Sequence, residues 1–176
     1  MRPPLGLEAG AAWKFQGSAT GWDDAAGTDV EHLIAITTTV EAADVVDGRP
    51  RWRLHGWPTD AVEHEPGDPE VDTWLLLDGG VMYLATRPAG APGPRRGEPD
   101  DAWLRWPPRD GDEVCPDPDS PYCWRVEAGA DDHTYRVIMQ TRPDVLAYEI
   151  DPARGVLGIE YHHNGTTDDV SLGRVP

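Results

Sequence analysis

Two adjacent histidines, His162 and His163, are the residues of this sequence best suited to acid–base or metal chemistry. Neighbours in a strand point to opposite faces, so the two imidazoles cannot easily ligate one metal ion. At a strand end before Asn164-Gly165 that restriction relaxes, and one imidazole could join an Asp and a second histidine in a transition-metal site. Polar strand-end histidines are the simpler interpretation. The other histidines are His32, His55, His64 and His133.

Paired acidic residues recur between the hydrophobic segments. The pairs are Asp23-Asp24, Asp100-Asp101, Asp131-Asp132 and Asp168-Asp169. Oxygen-rich loops suit Ca²⁺, but no segment fits the twelve-residue calcium loop with its central Gly and closing Glu. We therefore predict no cofactor and no metal ligands, with a Ca²⁺ site as the alternative. Turn acids on a solvated surface explain the pattern more simply.

The sequence has two cysteines, Cys115 and Cys123, in the segment CPDPDSPYC. Three prolines, two aspartates and a serine between and beside them indicate a loop. Two thiols without a nearby histidine make a poor zinc site, which normally takes four ligands. We predict a disulfide, which implies an oxidising compartment, with two free thiols in a cytosolic protein as the alternative.

Tryptophan is the compositional excess, with eight Trp against one Phe. Indole rings pack against apolar ligands and stack on sugar faces while donating one hydrogen bond. We predict that Trp57, Trp103 and Trp106 line a ligand-binding concavity, with Tyr83 and Tyr161 as further lining residues. The alternative is that these rings cover the ends of a curved sheet. No residue is predicted to be catalytic, because no serine stands in a Gly-x-Ser-x-Gly setting and neither cysteine has a basic environment.

Alternating hydrophobicity, interrupted by turn residues, predicts the strands that must position these side chains. In a β-branched run over 30–46, one face is shared by His32, Ile34, Ile36, Thr38 and Val40. Asp47-Gly48 is a hairpin signal, and 71–77 with 81–86 forms a second hairpin. Residues 23–30 could hold one helical turn, and 87–101 is predicted to be a long mobile loop. Later strands are predicted over 103–106, 122–128, 134–141, 145–150 and 156–163, with a last one ending near 172.

No window has apolar residues spaced at 3.6 over three turns, so helices are not predicted. About ten strands in one sheet must curl, close or split into two layers. We therefore predict a single β domain over 1–176, an antiparallel curved sheet that closes into a barrel or half-barrel. A β-sandwich is the alternative.

The chain carries 32 acidic against 15 basic residues, a formal net charge of −17. Such a surface repels nucleic acid and anionic lipid. No apolar run approaches the roughly 20 residues of a membrane helix. The start, Met1-Arg2-Pro3-Pro4, lacks the apolar core of a signal peptide. The protein is therefore expected to be cytoplasmic, or extracytoplasmic (periplasmic or on the cell surface) if Met1 replaces a removed leader.

Several phrases occur in the order found in a group of exported bacterial proteins, many of them lipoproteins. Residues 4–15, PLGLEAGAAWKF, resemble the Pro-Leu-x-x-Gly-x-x-Trp-x-Tyr opening of their mature domain. The same group of proteins has segments similar to the turn at 46–49, the hairpin at 74–84 and the Pro-x-x-x-Gly-Asp phrase at 107–112. Residues 148–161 resemble the final strand, which the group enters through a Gly-Val-Gly-like turn. The resemblance implies an exported β domain and supplies no catalytic residues.

Together these observations favour a non-enzymatic, extracytoplasmic β domain that binds a small apolar or amphipathic ligand or a protein partner. The first alternative is a small β-barrel hydrolase or cyclase that uses His162 or His163 with a nearby Asp. The second alternative is a structural component of an envelope assembly. Convergence of His and Asp in a pocket would favour the enzyme, and an exposed apolar patch or strand edge would favour the structural component.

Overall fold

The computed structural model describes residues 3–59, 69–95, 101–117, 119–164 and 168–176. These residues form twelve strands and one 3₁₀ turn, Pro4–Gly6. The strands are β1 Ala12–Asp23, β2 Thr28–Val46, β3 Arg49–His55, β4 Val71–Asp78, β5 Val81–Pro88, β6 Asp101–Arg105, β7 Glu113–Val114, β8 Trp124–Ala128, β9 Tyr135–Gln140, β10 Asp144–Asp151, β11 Gly155–His163 and β12 Asp168–Val175. Within the described ranges, no helix has the length and hydropathy that a membrane crossing requires.

All twelve strands belong to one antiparallel sheet that is nearly closed into a barrel. Strands β1 to β6 pair in sequence order, and so do β7 to β12. The two runs are joined where β1 pairs with β12, and the sheet ends at β6 and β7. The predicted all-β antiparallel barrel is confirmed, with twelve strands rather than about ten.

The long β1–β2 pair shows how the alternating pattern selects the inner face. Trp13 and Phe15 of β1 are buried in the core, and their partners Thr38 and Ile36 on β2 face the same way. The predicted shared face of the β2 run is therefore confirmed. A β-bulge after Val40 shifts the register before β2 pairs with β3.

Tight turns join the hairpins as predicted. Asp47 and Gly48 both have positive φ, at 51° and 77°, as the type I′ turn between twisted strands requires. Residues 24–27 form a turn rather than a helical segment, since the Asp23 carboxylate accepts hydrogen bonds from the backbone N–H groups of Ala25 and Ala26.

One end of the barrel is covered by the N-terminal segment. Leu5 donates its backbone N–H to the Pro152 carbonyl, and Leu7 follows it into the core. Both leucine side chains are fully buried. Gly155, with φ of 100°, leaves room for the Trp13 ring and the Leu5 carbonyl, which a Cβ would meet at 2.6 and 2.8 Å.

The predicted loop over 87–101 is shorter than expected. Arg87 and Pro88 belong to β5, and Asp101 begins β6. In the part between them that the structure describes, Gly93 and Pro94 are buried on the outer face of the sheet. Residues 96–100 lie outside the described residues, and the mobility of the loop stays a prediction.

The disulfide between Cys115 and Cys123 is confirmed, and no described cysteine is free. It links the residue after β7 to the residue before β8 at the edge of the sheet. Because β7 has only two residues, this cross-link limits how far the edge strand can separate from β8.

Gly17→Ala should destabilise the protein, because its Cβ would lie 1.8 Å from the Ser171 carbonyl oxygen on the paired strand β12. A backbone atom cannot yield as a flexible side chain does, so we expect a loss of at least about 2 kcal/mol in urea unfolding. Gly173→Ala is the matched control, because its Cβ would meet nothing within 4 Å. A loss of equal size in both variants would contradict this account of Gly17.

Thiol titration of the unreduced, unfolded protein should detect no reactive thiol, and two after reduction. The double variant Cys115→Ser/Cys123→Ser should lose about 2–3 kcal/mol of unfolding free energy, the loop entropy expected for so short a cross-linked segment. The reduced wild-type protein should show the same loss in urea unfolding. Two reactive thiols before reduction would disprove the pairing.

Candidate binding site

The predicted lining residues Trp57 and Trp103 are core residues in the structure. Their exposed fractions are 0% and 1%. Both rings pack on Tyr148, with centroid separations of 5.9 and 5.3 Å, and Trp124 contacts the same ring at 5.8 Å. The Trp57 indole N–H donates to the Tyr148 hydroxyl at 3.3 Å. These indoles fill the barrel interior and, as placed, offer no free face to a ligand.

The other three predicted residues lie in different places. Trp106 is half-buried against the core, and its backbone N–H donates to the Gly80 carbonyl. Tyr83 lies on the face of β5 opposite to Met82 and therefore outside the barrel. Tyr161 is half-buried on the inner face of β11. The structure therefore does not bring the five residues into one lining, and their contact with a ligand stays a prediction.

Tyr161 belongs to a continuous row of inner-face side chains near the end of the barrel opposite to Leu5. Each member is the cross-strand partner of the next, from β8 through β12 and β1 to β2. The row consists of Trp124, Met139, Leu146, Tyr161, Val170, Ala19 and His32. Several members are only half-buried, and Tyr148, two residues after Leu146, places the aromatic core directly beneath the row.

The next row outward is polar. Asp144, His163 and Asp168 are successive cross-strand partners on β10, β11 and β12. The His163 Nδ1 lies 2.6 Å from the Asp144 carboxylate, to which the Tyr161 hydroxyl donates at 2.9 Å. The Thr141 hydroxyl donates to the second oxygen of the same carboxylate at 3.2 Å. The apolar inner row is therefore bordered by a hydrogen-bonded polar rim, which consists of Asp144, His163 and Asp168.

The rim contacts favour an ionised Asp144. The hydrogen bond from His163, with smaller contributions from Tyr161 and Thr141, holds the pKa of Asp144 below its ordinary value, although desolvation acts in the opposite direction. A depressed carboxyl pKa stabilises the fold above the unfolded value near 3.8. That contribution is lost as the pH falls through the folded pKa.

The two adjacent histidines point to opposite faces and have separate carboxylate partners. His163 contacts Asp144 inside the barrel, whereas His162 contacts Asp169 outside, with its Nε2 2.9 Å from the Asn164 side-chain oxygen. The expectation that adjacent imidazoles would not converge is confirmed. Neither pair forms a cluster of three candidate ligands, and the one such group among the described residues is Glu113 with the two disulfide-bonded cysteines.

Several loop acids accept hydrogen bonds from the backbone and so have a structural role. The Asp110 carboxylate accepts the backbone N–H of Ala128, and Asp117 accepts that of Asp119. The Asp151 carboxylate accepts the backbone N–H groups of Ala153 and Arg154. The bonds of Asp117 and Asp151 stabilise tight turns, as Asx motifs do, whereas the bond of Asp110 joins its loop to the end of β8. The possible Ca²⁺ site stays a prediction.

Comparison of the chain with models of protein families, with curated proteins and with solved structures gives no match. The resemblance to exported, lipoprotein-like β domains therefore stays a prediction.

The imidazole of His162 should titrate above its ordinary pKa of 6.5, because Asp169 and then Asn164 stabilise the protonated ring. A raised histidine pKa stabilises the fold below pH 6.5 and loses that contribution as the pH rises through the folded pKa. Proton NMR titration should show the pKa falling in Asp169→Asn. It should not change in Asp132→Asn, a substitution in an exposed turn. An unchanged pKa in Asp169→Asn would refute the pairing.

Proposed function

We propose that this protein is a non-enzymatic binding domain that takes an amphipathic small ligand at the end of the barrel formed by the inner row and its polar rim. The observation that supports the proposal is the half-buried apolar surface of Met139, Leu146 and Tyr161, which lies directly beside Asp144 and His163. An apolar wall beside convergent polar groups is the usual composition of a small-molecule site.

The asymmetry of the barrel ends supports this placement. At the other end Leu5 and Leu7 have lost their solvent exposure and cover the core. At the proposed site the inner-row side chains Leu146, Tyr161 and Ala19 keep part of their surface exposed. A ligand chain that covered this surface would gain about 25 cal/mol for each Å² of apolar area removed from water.

The charge of the rim restricts the head group. Asp144 and Asp168 stand on either side of His163, and the whole chain carries a formal charge of −17. An anionic head group would be repelled at short range, whereas a cationic or neutral hydrogen-bonding head group would be accepted. We therefore propose a ligand with an apolar chain and a cationic or uncharged polar head.

An extracytoplasmic location is part of the proposal. The Cys115–Cys123 disulfide supports it, because such bonds persist in oxidising compartments and are rare in the cytosol. The lipoprotein-like phrases of the sequence point the same way.

A hydrolase or cyclase is the second candidate, and the observation that favours it is the His163–Asp144 pair. A carboxylate that orients an imidazole is the arrangement of a general base. The neighbouring hydroxyls of Tyr161 and Thr141, however, both donate to Asp144 and so serve the carboxylate. The described cysteines form a disulfide and supply no thiolate nucleophile. Binding is therefore the function that the geometry supports best.

The test is a fluorescence titration with N-phenyl-1-naphthylamine, an uncharged apolar dye, followed by displacement with dodecyltrimethylammonium or dodecyl sulfate below micelle-forming concentrations. Leu146→Gln should weaken dye binding at least about tenfold, since it places an amide in the apolar row. Leu33→Gln is the matched control, because Leu33 is 91% exposed on the outer face of β2. The cationic detergent should displace the dye at lower concentrations than the anionic one.

Thermal melts establish that both variants are folded at the titration temperature. NMR provides a second readout, since the ring signals of His163 should shift when the cationic detergent is added. Equal dye affinity in Leu146→Gln and the wild type would eliminate the proposed site. So would His163 signals that do not respond to the detergent.

A further inference from the structure

Strand β2 is covered by a neighbouring strand along only part of one side. Its residues 28–39 pair with β1, whereas β3 pairs only with residues 39–46. Among the described residues, no strand pairs with the earlier half of β2 on the β3 side. After β3 the chain passes Gly56, where a Cβ would lie 2.3 Å from the Thr37 carbonyl oxygen. Residues 29–35 of β2 therefore form a free strand edge.

The backbone groups along this free edge alternate in direction. Val40 donates its N–H to the Ala11 carbonyl at 2.9 Å, so the even-numbered residues of β2 direct their backbone groups toward β1. The β1–β2 register has no shift, and the odd-numbered residues therefore direct theirs away from β1, as the Thr37 carbonyl does beside Gly56. The residues whose N–H and C=O groups face outward are all exposed, namely Asp29, Glu31, Leu33 and Ala35.

The free edge lacks the features that usually prevent the addition of another strand. Edge strands of soluble proteins commonly carry lysine, proline or a β-bulge. Residues 28–38, TDVEHLIAITT, contain no lysine or proline, and their pairing with β1 shows no bulge. The β-branched residues of this segment favour extended backbone. Leu33 is 91% exposed, so the edge also presents an apolar side chain to a partner.

A shallow cavity of about 680 Å³ lies on the outer face beside the free edge. Leu33 and Ala35 line it at the edge, and the small residues Ser18, Ser171 and Gly173 line it on the two next strands. A Cβ on Gly173 would meet nothing within 4 Å, so this part of the sheet surface is open. An apolar side chain of an added strand could therefore rest beside Leu33 and extend over the small residues.

The charge around the free edge is negative and has no basic counterpart nearby in the sequence. No lysine or arginine occurs between Lys14 and Arg49. In the part of the chain that the structure describes, Asp29 and Glu31 form no ion pair. Positive charge opposite these two acids is favoured. A second copy of this chain is disfavoured, because it would bring the same acids and a formal charge of −17 to the contact.

We propose that the free edge of β2 binds an extended basic peptide segment of a partner protein, which adds to the sheet as an antiparallel strand. In this mode of recognition the backbone hydrogen bonds supply affinity and alternate side chains supply specificity. The outward side chains of the segment are apolar opposite Leu33 and Ala35 and basic opposite Glu31 and Asp29. The contact is independent of the proposed ligand site, which is centred on Leu146 inside the barrel.

The probe is the peptide Val-Val-Leu-Thr-Lys-Val-Lys, blocked at both ends and carrying a fluorophore, in an anisotropy titration. In the antiparallel register its leucine lies opposite Leu33, and its lysines lie opposite Glu31 and Asp29. N-methylation of its third and fifth residues, whose N–H groups face β2, should weaken binding at least about tenfold. N-methylation of its second and fourth residues, whose N–H groups face away, is the matched control and should leave the affinity nearly unchanged.

Two double variants of the protein test the charge. Asp29→Asn/Glu31→Gln should weaken peptide binding at least about fivefold at low ionic strength, because two exposed ion pairs are lost. Asp131→Asn/Asp132→Asn makes the same change of charge in an exposed turn and should leave binding unchanged. Thermal melts establish that both variants are folded. Replacement of both peptide lysines by glutamate should abolish measurable binding.

Hydrogen exchange measured by NMR locates the contact. In the protein alone, the amides of Val30, His32 and Ile34 pair with β1 and should exchange slowly, whereas those of Leu33 and Ala35 should exchange fast. The peptide should slow exchange at Leu33 and Ala35.

Four results would overturn the proposal. They are equal loss of affinity in the two methylated peptides, equal loss in the two double variants, and slow exchange at Leu33 and Ala35 before the peptide is added. The fourth is a dimer in sedimentation equilibrium that the peptide cannot dissociate, because a second copy would then occupy the free edge.

Discussion

The aromatic cluster around Tyr148 is the interaction on which the closure of the barrel depends. The two ends of the sheet, β6 and β7, are not joined by a ladder of backbone hydrogen bonds among the described residues. Trp103, on β6, instead packs on Tyr148, and Trp124, on β8, packs on the same ring. Burial of large rings therefore holds together edges that backbone pairing leaves open.

The two sides of the barrel are therefore held together by different interactions. Across β8 to β2 the ladders are continuous, so the inner row from Trp124 to His32 is positioned by backbone pairing. Across the seam, position depends on side-chain packing and on the disulfide that holds β7 beside β8. The proposed ligand site lies on the continuous side. Its wall and rim are consequently fixed relative to one another before any ligand arrives, which lowers the entropic cost of binding.

The fold was largely predictable from the sequence, because period-two alternation and turn residues act locally. The inner face of β2 and the turn at Asp47-Gly48 follow from those signals alone. Strand β7 was missed because two residues carry no periodic pattern. The direction in which a given tryptophan points also depended on the β-bulge at Met82/Tyr83 and on how the sheet closes. Local sequence patterns carry no information on either. Trp57 and Trp103 were therefore predicted to line a concavity, whereas the structure buries both rings in the barrel core.

The burial of Trp74 on the outer face of the sheet was not predictable for a related reason. Trp74 stands in an apolar strand and is buried, yet on the outer face, beneath a segment whose composition predicts a loop. The Arg51 guanidinium lies 4.9 Å from the centroid of the Trp74 ring, and a Cβ on Gly93 would lie 2.6 Å from the same ring. These contacts join segments far apart in the sequence, so no local pattern predicts that they cover this indole.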